Sequence, residues 1–254
     1  MDQNSQTKPD LNVLAIIYQP GTLNIIGGLT CMVRTALALN LARQTSTETV
    51  YFCTVNEYFQ LTHGARLGLK EKATEPSWVH LNAILPTTID EIRDKVLQMH
   101  TAHPIRWVIV DNLQLLEPCP MCDGTSIAIL EGLKAMAEDF QVAVIAISQL
   151  ARYVDRDYRT PDLQQLKNML HVVHLPHVVD DVRLISTRNF DRHDILLCPD
   201  GYNPCNWKGA HGIVDVLSTE INRSGFGDCS FRFDTWCKIY EIIHDNYTSV
   251  VIKC

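Results

Sequence analysis

The sequence predicts an α/β fold with a mostly parallel central sheet, helices on both faces and an antiparallel C-terminal extension. Three observations predict it. Strand-length apolar runs alternate with helical patterns as far as Leu150; those runs are nearly unbroken Val and Ile; and after Arg152 strand-like runs follow at hairpin spacing. A strand buried on both faces has no polar side, which explains the unbroken runs and requires helices above and below. With 254 residues, 46% hydrophobic and 20% charged, the chain has enough apolar surface for one large core, and residues 1–254 read as a single domain.

Each element follows from its local pattern. "LNIIGG" is the first strand, and the Ala/Leu-rich stretch from Thr35 to Gln44 is the helix after it. "TVYFCTV" is a second strand, followed by a helix from Glu57 to Leu67, and "SWVHLNA" is a third strand. From Ile89 to His100, Ile89, Ile92, Val96 and Met99 recur on one helical face. "RWVIVDNLQLL" is a strand ending in Asp111; Ile127 to Phe140 is a helix; "VAVIAISQL" is a buried strand. "VVDDVRLIS", "GIVDVLSTEI", "CSFRFD" and "IYEII" extend the edge of the sheet.

Composition narrows the function classes. A net charge of -7 disfavours a globally basic nucleic-acid wrapper and leaves room for a local basic patch. No apolar run reaches membrane-spanning length, and "MDQNSQTKPD" has no signal-peptide core, so the expectation is a cytoplasmic protein with no membrane partner. The nine cysteines are an odd count spread over strands and loops, a pattern of reduced thiols rather than a disulfide framework.

Ligands of open parallel α/β sheets bind at the carboxyl ends of the strands. Three features fall there: the loop "GGLTCMVRTALALNLARQ", Asp111 after "WVIV", and Ser148-Gln149 after "VAVIAI". The loop stands where a phosphate-binding loop would stand. GxxxxGK[ST] uses glycines to close backbone N–H groups on phosphate, a lysine on the terminal phosphates and a hydroxyl on magnesium. Here Gly28 and Thr35 are in place, while Val33 and Arg34 fill the second glycine and lysine positions.

In order and spacing these segments resemble the RecA-fold C-terminal domain of DnaB-type replicative helicases. The resemblance begins at "DLNVLAIIYQPGTLNII" and continues through "MVRTALALNLA", "VIVDNLQLL", "LEGLKAMAEDFQVAVIAISQLAR", "TPDLQQLK" and "INRSGFGDCSFRFD", from about Asp10 to Asp234. It implies a RecA-like P-loop NTPase fold and a site for ATP and Mg. Thr35 and Asp111 resemble the magnesium-side residues, and Gln149 the γ-phosphate sensor. Val55 stands at the position of the catalytic glutamate, with Glu57 two residues on as a possible substitute. Glu220 and Asn222 stand where the family's trans-acting Lys and Arg are expected, and Arg223 is the candidate replacement for that finger. Arg34 keeps the positive charge of the lysine but not its compact ammonium. Val33 is β-branched where a glycine conformation is expected. Loss of the lysine, the base and the finger together predicts weak or absent hydrolysis.

The residues themselves leave alternatives open. Asp111 can be a strand-end capping carboxylate, Thr35 an early-helix hydroxyl bonded to backbone, Gln149 a partner for a strand-end backbone group, and Arg34 a solvated cation. By resemblance the loops after Asp111 and Gln149 line the central channel of a ring. The second, "ARYVDRDYRTPD", interleaves Arg152, Arg156 and Arg159 with Tyr153 and Tyr158, a composition suited to DNA, and offsets that charge with Asp155, Asp157 and Asp162. The first, "EPCPMCDGTS", has no basic residue. Cys119 and Cys122 form a CxxC that could hold Zn with Cys198 and Cys205, or all four can be reduced loop thiols. His171, His174 and His177 are three apart, but Pro176 breaks the helix that would align them.

The functional expectation is a DnaB helicase-like module in DNA replication or mobile-element maintenance, without an N-terminal primase-binding domain. It would bind nucleotide or DNA, and self-associate or join a helicase ring. The alternatives are an active ATP-dependent helicase with a variant P-loop and a non-catalytic oligomeric scaffold.

Overall fold

The computed structural model describes residues 19–28, 37–38, 47–55, 78–117, 126–150, 162–170, 175–188, 212–222, 229–233, 239–243 and 249–251. Its parallel strands are β1 (Leu23–Gly28), β2 (Thr49–Thr54), β3 (Val79–Leu85), β5 (Trp107–Asp111), β7 (Ala143–Gln149) and β8 (Asp181–Arg188). Antiparallel strands β9 (Gly212–Asn222), β10 (Cys229–Phe233), β11 (Ile239–Ile243) and β12 (Ser249–Val251) continue the sheet beyond β8. The spatial order is β12-β11-β10-β9-β8-β1-β7-β5-β2-β3. A separate parallel pair joins β4 (Thr87–Thr88) to β6 (Leu116–Glu117).

Helices α1 (Ile89–Ala102), α2 (Ser126–Phe140) and α3 (Leu163–Leu170) follow β3, β5 and β7. They contribute Ile92, Val96, Leu130, Leu133, Met136 and Leu166 to one core with Leu23, Ile25, Val50, Phe52, Val108, Val110 and Val144. Because side chains alternate along a strand, the other face carries Ile26, Tyr51, Ile109, Ile145 and Ile147. These also have no exposed surface, so the sheet is covered on both sides. Leu37 and Ala38, helical and buried, belong to the segment that leaves β1.

The connections explain this division. Leaving β1, the chain crosses β7 and β5 to reach β2; leaving β7, it crosses β1 in the opposite direction to reach β8. Right-handed crossovers in opposite directions lie on opposite faces. The adjacent strands β1 and β7 therefore send the chain to opposite faces and open a crevice at their carboxyl ends.

Helix starts carry their own signals. Thr88 caps α1: its hydroxyl accepts from the Glu91 N–H while the Glu91 carboxylate accepts from the Thr88 N–H. The Glu91 carboxylate also bonds the Thr87 hydroxyl, and these bonds, that of Thr87 first, hold its pKa below the ordinary value. Asp162 and Gln165 form the equivalent reciprocal pair at α3, at 2.8 and 3.3 Å. That pair lies within "TPDLQQLK", whose helix and whose Asp-to-Gln spacing the sequence reading did not use; nor did it include the short strand β12. The third strand runs from Val79 to Leu85, two residues later than "SWVHLNA" suggests.

Candidate functional site

Strand register brings the described candidates to one edge of the sheet. Gly28 is paired with Gln149 at the carboxyl ends of β1 and β7, and the Gly28 carbonyl accepts from the Leu150 N–H at 3.0 Å. Asp111 ends β5 level with Ile147, two residues before Gln149. Val55, just past the end of β2, stands at the same edge and is 52% exposed. Gly28, Asp111 and Gln149 also share strand parity with Ile26, Ile109 and Ile147, the face toward which the chain leaves β1.

Two local devices fix this edge. The carboxylate of Asp111, 2% exposed, accepts at Oδ2 from the phenol of Tyr51 at 2.7 Å. Tyr51 is level with Ile109 and has the parity of Asp111, so its length carries the hydroxyl diagonally to the strand end. After the Asp111–Asn112 peptide, which is cis, the chain makes a short 3₁₀ turn, Leu113–Leu115. From that turn Gln114 bonds the end of β7: its Nε2 donates to Ser148 Oγ at 2.7 Å and to the Gln149 carbonyl at 3.1 Å, while its Oε1 accepts from the Gln149 N–H at 3.1 Å. The backbone of Gln149 is therefore held by Gln114.

Beside Asp111, Asn112 Oδ1 is buried with no hydrogen-bond partner among the described residues. A buried carboxylate with an adjacent orphan carbonyl oxygen is the donor chemistry that a hard cation such as Mg²⁺ takes.

Several candidates lie outside the described residues: Arg34, Thr35, Glu57, Arg152, Arg156, Arg159, Arg223, and the cysteines Cys119, Cys122, Cys198 and Cys205. His171 and His174 do too, while His177 is an exposed residue of a 3₁₀ turn, Leu175–His177. Among the described residues no group of three or more His, Cys, Asp or Glu side chains could hold a metal, and no helix is long and apolar enough to cross a membrane.

Sequence reasoning did not single out Tyr51 or Gln114. Tyr51 carried a usable signal. A tyrosine inside an apolar run whose neighbours are buried must find a partner for its hydroxyl, and alternation directs it to the face of Cys53 rather than that of Phe52.

Comparison with known proteins places this geometry. Residues 70–172 match the model of the DnaB-like helicase C terminal domain. The replicative DNA helicase DnaB of Rickettsia bellii is 36% identical over 84 residues, which are 32% of this chain and 17% of that protein. A probable replicative DNA helicase of Trieres chinensis is 29% identical over 193 residues, 62% of this chain and 42% of that protein. The chain thus spans less than half the length of either relative. A solved DnaB-like replicative helicase, studied for its interactions with primase, superposes with a TM-score of 0.63 at 20% identity, over 87% of this chain and 59% of that one. The fold is that of the RecA-like helicase domain, in agreement with the fold class expected from sequence.

Proposed function

We propose that the chain, whose residues 70–172 match the DnaB-like helicase C terminal domain, serves DNA replication or mobile-element maintenance as a RecA-fold module that binds nucleotide and DNA and hydrolyses ATP weakly or not at all. The observation that carries this reading is the placement of Gly28, Asp111 and Gln149 at the carboxyl ends of β1, β5 and β7, beside the β1/β7 crevice. Such crevices hold ligands in open α/β sheets.

In this reading Gly28, Arg34 and Thr35 hold phosphate, and Thr35 and Asp111 hold magnesium. The ion, when bound, neutralises charge on the phosphates. Gln149 senses the terminal phosphate; Arg152, Arg156 and Arg159 meet DNA; and Arg223 acts across a subunit boundary in a ring of like or related chains. Residues 1–254 form one such unit. Cys119, Cys122, Cys198 and Cys205 lie outside the described residues, and zinc has no part in this proposal.

Weak hydrolysis follows from the residues present. Val55 offers no carboxylate to orient water, and Arg34 replaces the compact ammonium with a planar fork. Arg34→Lys with Val33→Gly should therefore tighten nucleotide binding, by about tenfold if one phosphate contact is regained. Titration of a fluorescent ATP analogue into wild type and the double variant measures this. Binding by neither protein would overturn the nucleotide reading and leave an oligomeric scaffold.

A further inference from the structure

The buried phenol of Tyr51 is the donor to a carboxylate at a ligand-facing strand end. Tyr51 has no exposed surface, and phenylalanine would fill the same apolar volume. The hydroxyl has a reason to be there only through the polar groups it meets, and Asp111 Oδ2 is one of them at 2.7 Å. Asp111 for its part is nearly as buried, so each oxygen that loses a donor becomes costly. The two groups sit on neighbouring strands of one rigid sheet, which leaves the carboxylate little freedom to turn.

We infer that Tyr51 is a positioning residue for Asp111: its hydroxyl fixes the direction in which the carboxylate is presented to the divalent cation that accompanies a bound nucleotide. The inference rests on the nucleotide reading above. The phenol is neutral, so it adds no charge to the site; its contribution is orientation. A hydrogen bond behind a metal-facing carboxylate is the kind of outer-shell contact whose loss weakens metal affinity by about 10–100-fold.

The test separates the magnesium-dependent part of binding from the rest. A fluorescent ATP analogue is titrated into wild type, Tyr51→Phe and Asp111→Asn, each in excess Mg²⁺ and in EDTA. In wild type, magnesium strengthens binding. Asp111→Asn should abolish that increment, and Tyr51→Phe should lower it about tenfold or more while leaving affinity in EDTA unchanged. An undiminished increment in Tyr51→Phe overturns the inference alone and leaves the nucleotide reading standing. Equal losses in both buffers overturn it too, because a general disturbance of the strand would weaken both. No binding by wild type in either buffer overturns the nucleotide reading, and this inference with it. A second measurement keeps the hydroxyl: 3-fluorotyrosine at position 51 should give a ¹⁹F signal that moves when magnesium is added to the nucleotide complex. A signal blind to magnesium overturns the inference even if Tyr51→Phe does not fold.

Discussion

Arg183 and Asp181 lie two residues apart in β8, so they share a face, and both are buried. Arg183 Nε donates to Asp181 Oδ2 at 2.9 Å. Burial pushes the Asp181 carboxyl above the ordinary aspartate value, against the lowering effect of Arg183. An acid whose folded value is raised adds stability in its protonated form, and that stability is lost as pH rises from the unfolded value through the folded one. Arg183→Met would strand a buried carboxylate and should cost about 3–5 kcal/mol near neutral pH. The deficit should shrink in mild acid, where the stranded carboxyl takes up a proton. Urea unfolding of both proteins at pH 7.5 and 4.5 checks this, and a deficit independent of pH would show that Asp181 is not the cause. At this scale the sequence was legible where residues sit in an ordered motif, as Asp111 and Gln149 do. It was not legible where meaning comes from pairing across the fold. In the sequence Lys134 is one position in a helical pattern, yet it reaches Gly21 O at 2.8 Å and Asp180 at 2.9 Å, while Asp180 also accepts from the Leu23 N–H that opens β1.

Helices α1 and α2 show what a periodic pattern conveys and what it omits. Ile89, Ile92 and Val96 of α1, and Leu130, Leu133 and Ala137 of α2, are buried on the faces that 3.6-residue spacing predicts. Spacing does not reveal how closely the helices approach. A Cβ added to Gly132 would lie 2.9 Å from Cγ2 of Ile89, and that methyl is held on a stiff β-branched side chain. Gly132→Ala should gain the usual helix preference of alanine, about 0.5–1 kcal/mol, and lose more to overpacking, about 1–3 kcal/mol. A net loss of stability is the expected outcome. Adding Ile89→Leu moves the branch away from Cβ and should recover part of it. Thermal unfolding of the single and double variants decides this; no recovery would place the constraint elsewhere than the Ile89 methyl.

For the molecule as a whole, the alternation of β and α units and the unbroken Val/Ile runs made the parallel, doubly covered sheet legible, and hairpin spacing made the antiparallel strands β9, β10 and β11 legible, whereas "VVDDVRLIS", read with them as an edge strand, forms β8 and pairs parallel to β1. Spatial strand order was not legible. It depends on which neighbour each strand pairs with over long separations, such as β1 with β7, where Asn24 bonds Val144 across 120 positions. That order is what creates the crevice beside Gly28 and Gln149, so the site's location is a property of the whole sheet. The central claim is that this crevice carries nucleotide without the complete machinery for turning it over. Lysine, water-orienting carboxylate and trans arginine act as a unit, so restoring one position should not restore turnover. Steady-state phosphate release by wild type, Val33→Gly/Arg34→Lys and the same variant with Val55→Glu, with and without DNA, tests the claim most directly. Wild type and the double variant should stay well below about 1 per second, the lower end of the ordinary enzyme range, with turnover rising only after Val55→Glu is added. DNA-stimulated release by wild type at about 1 per second or faster would contradict the claim and return Arg34 and Glu57 to catalytic roles.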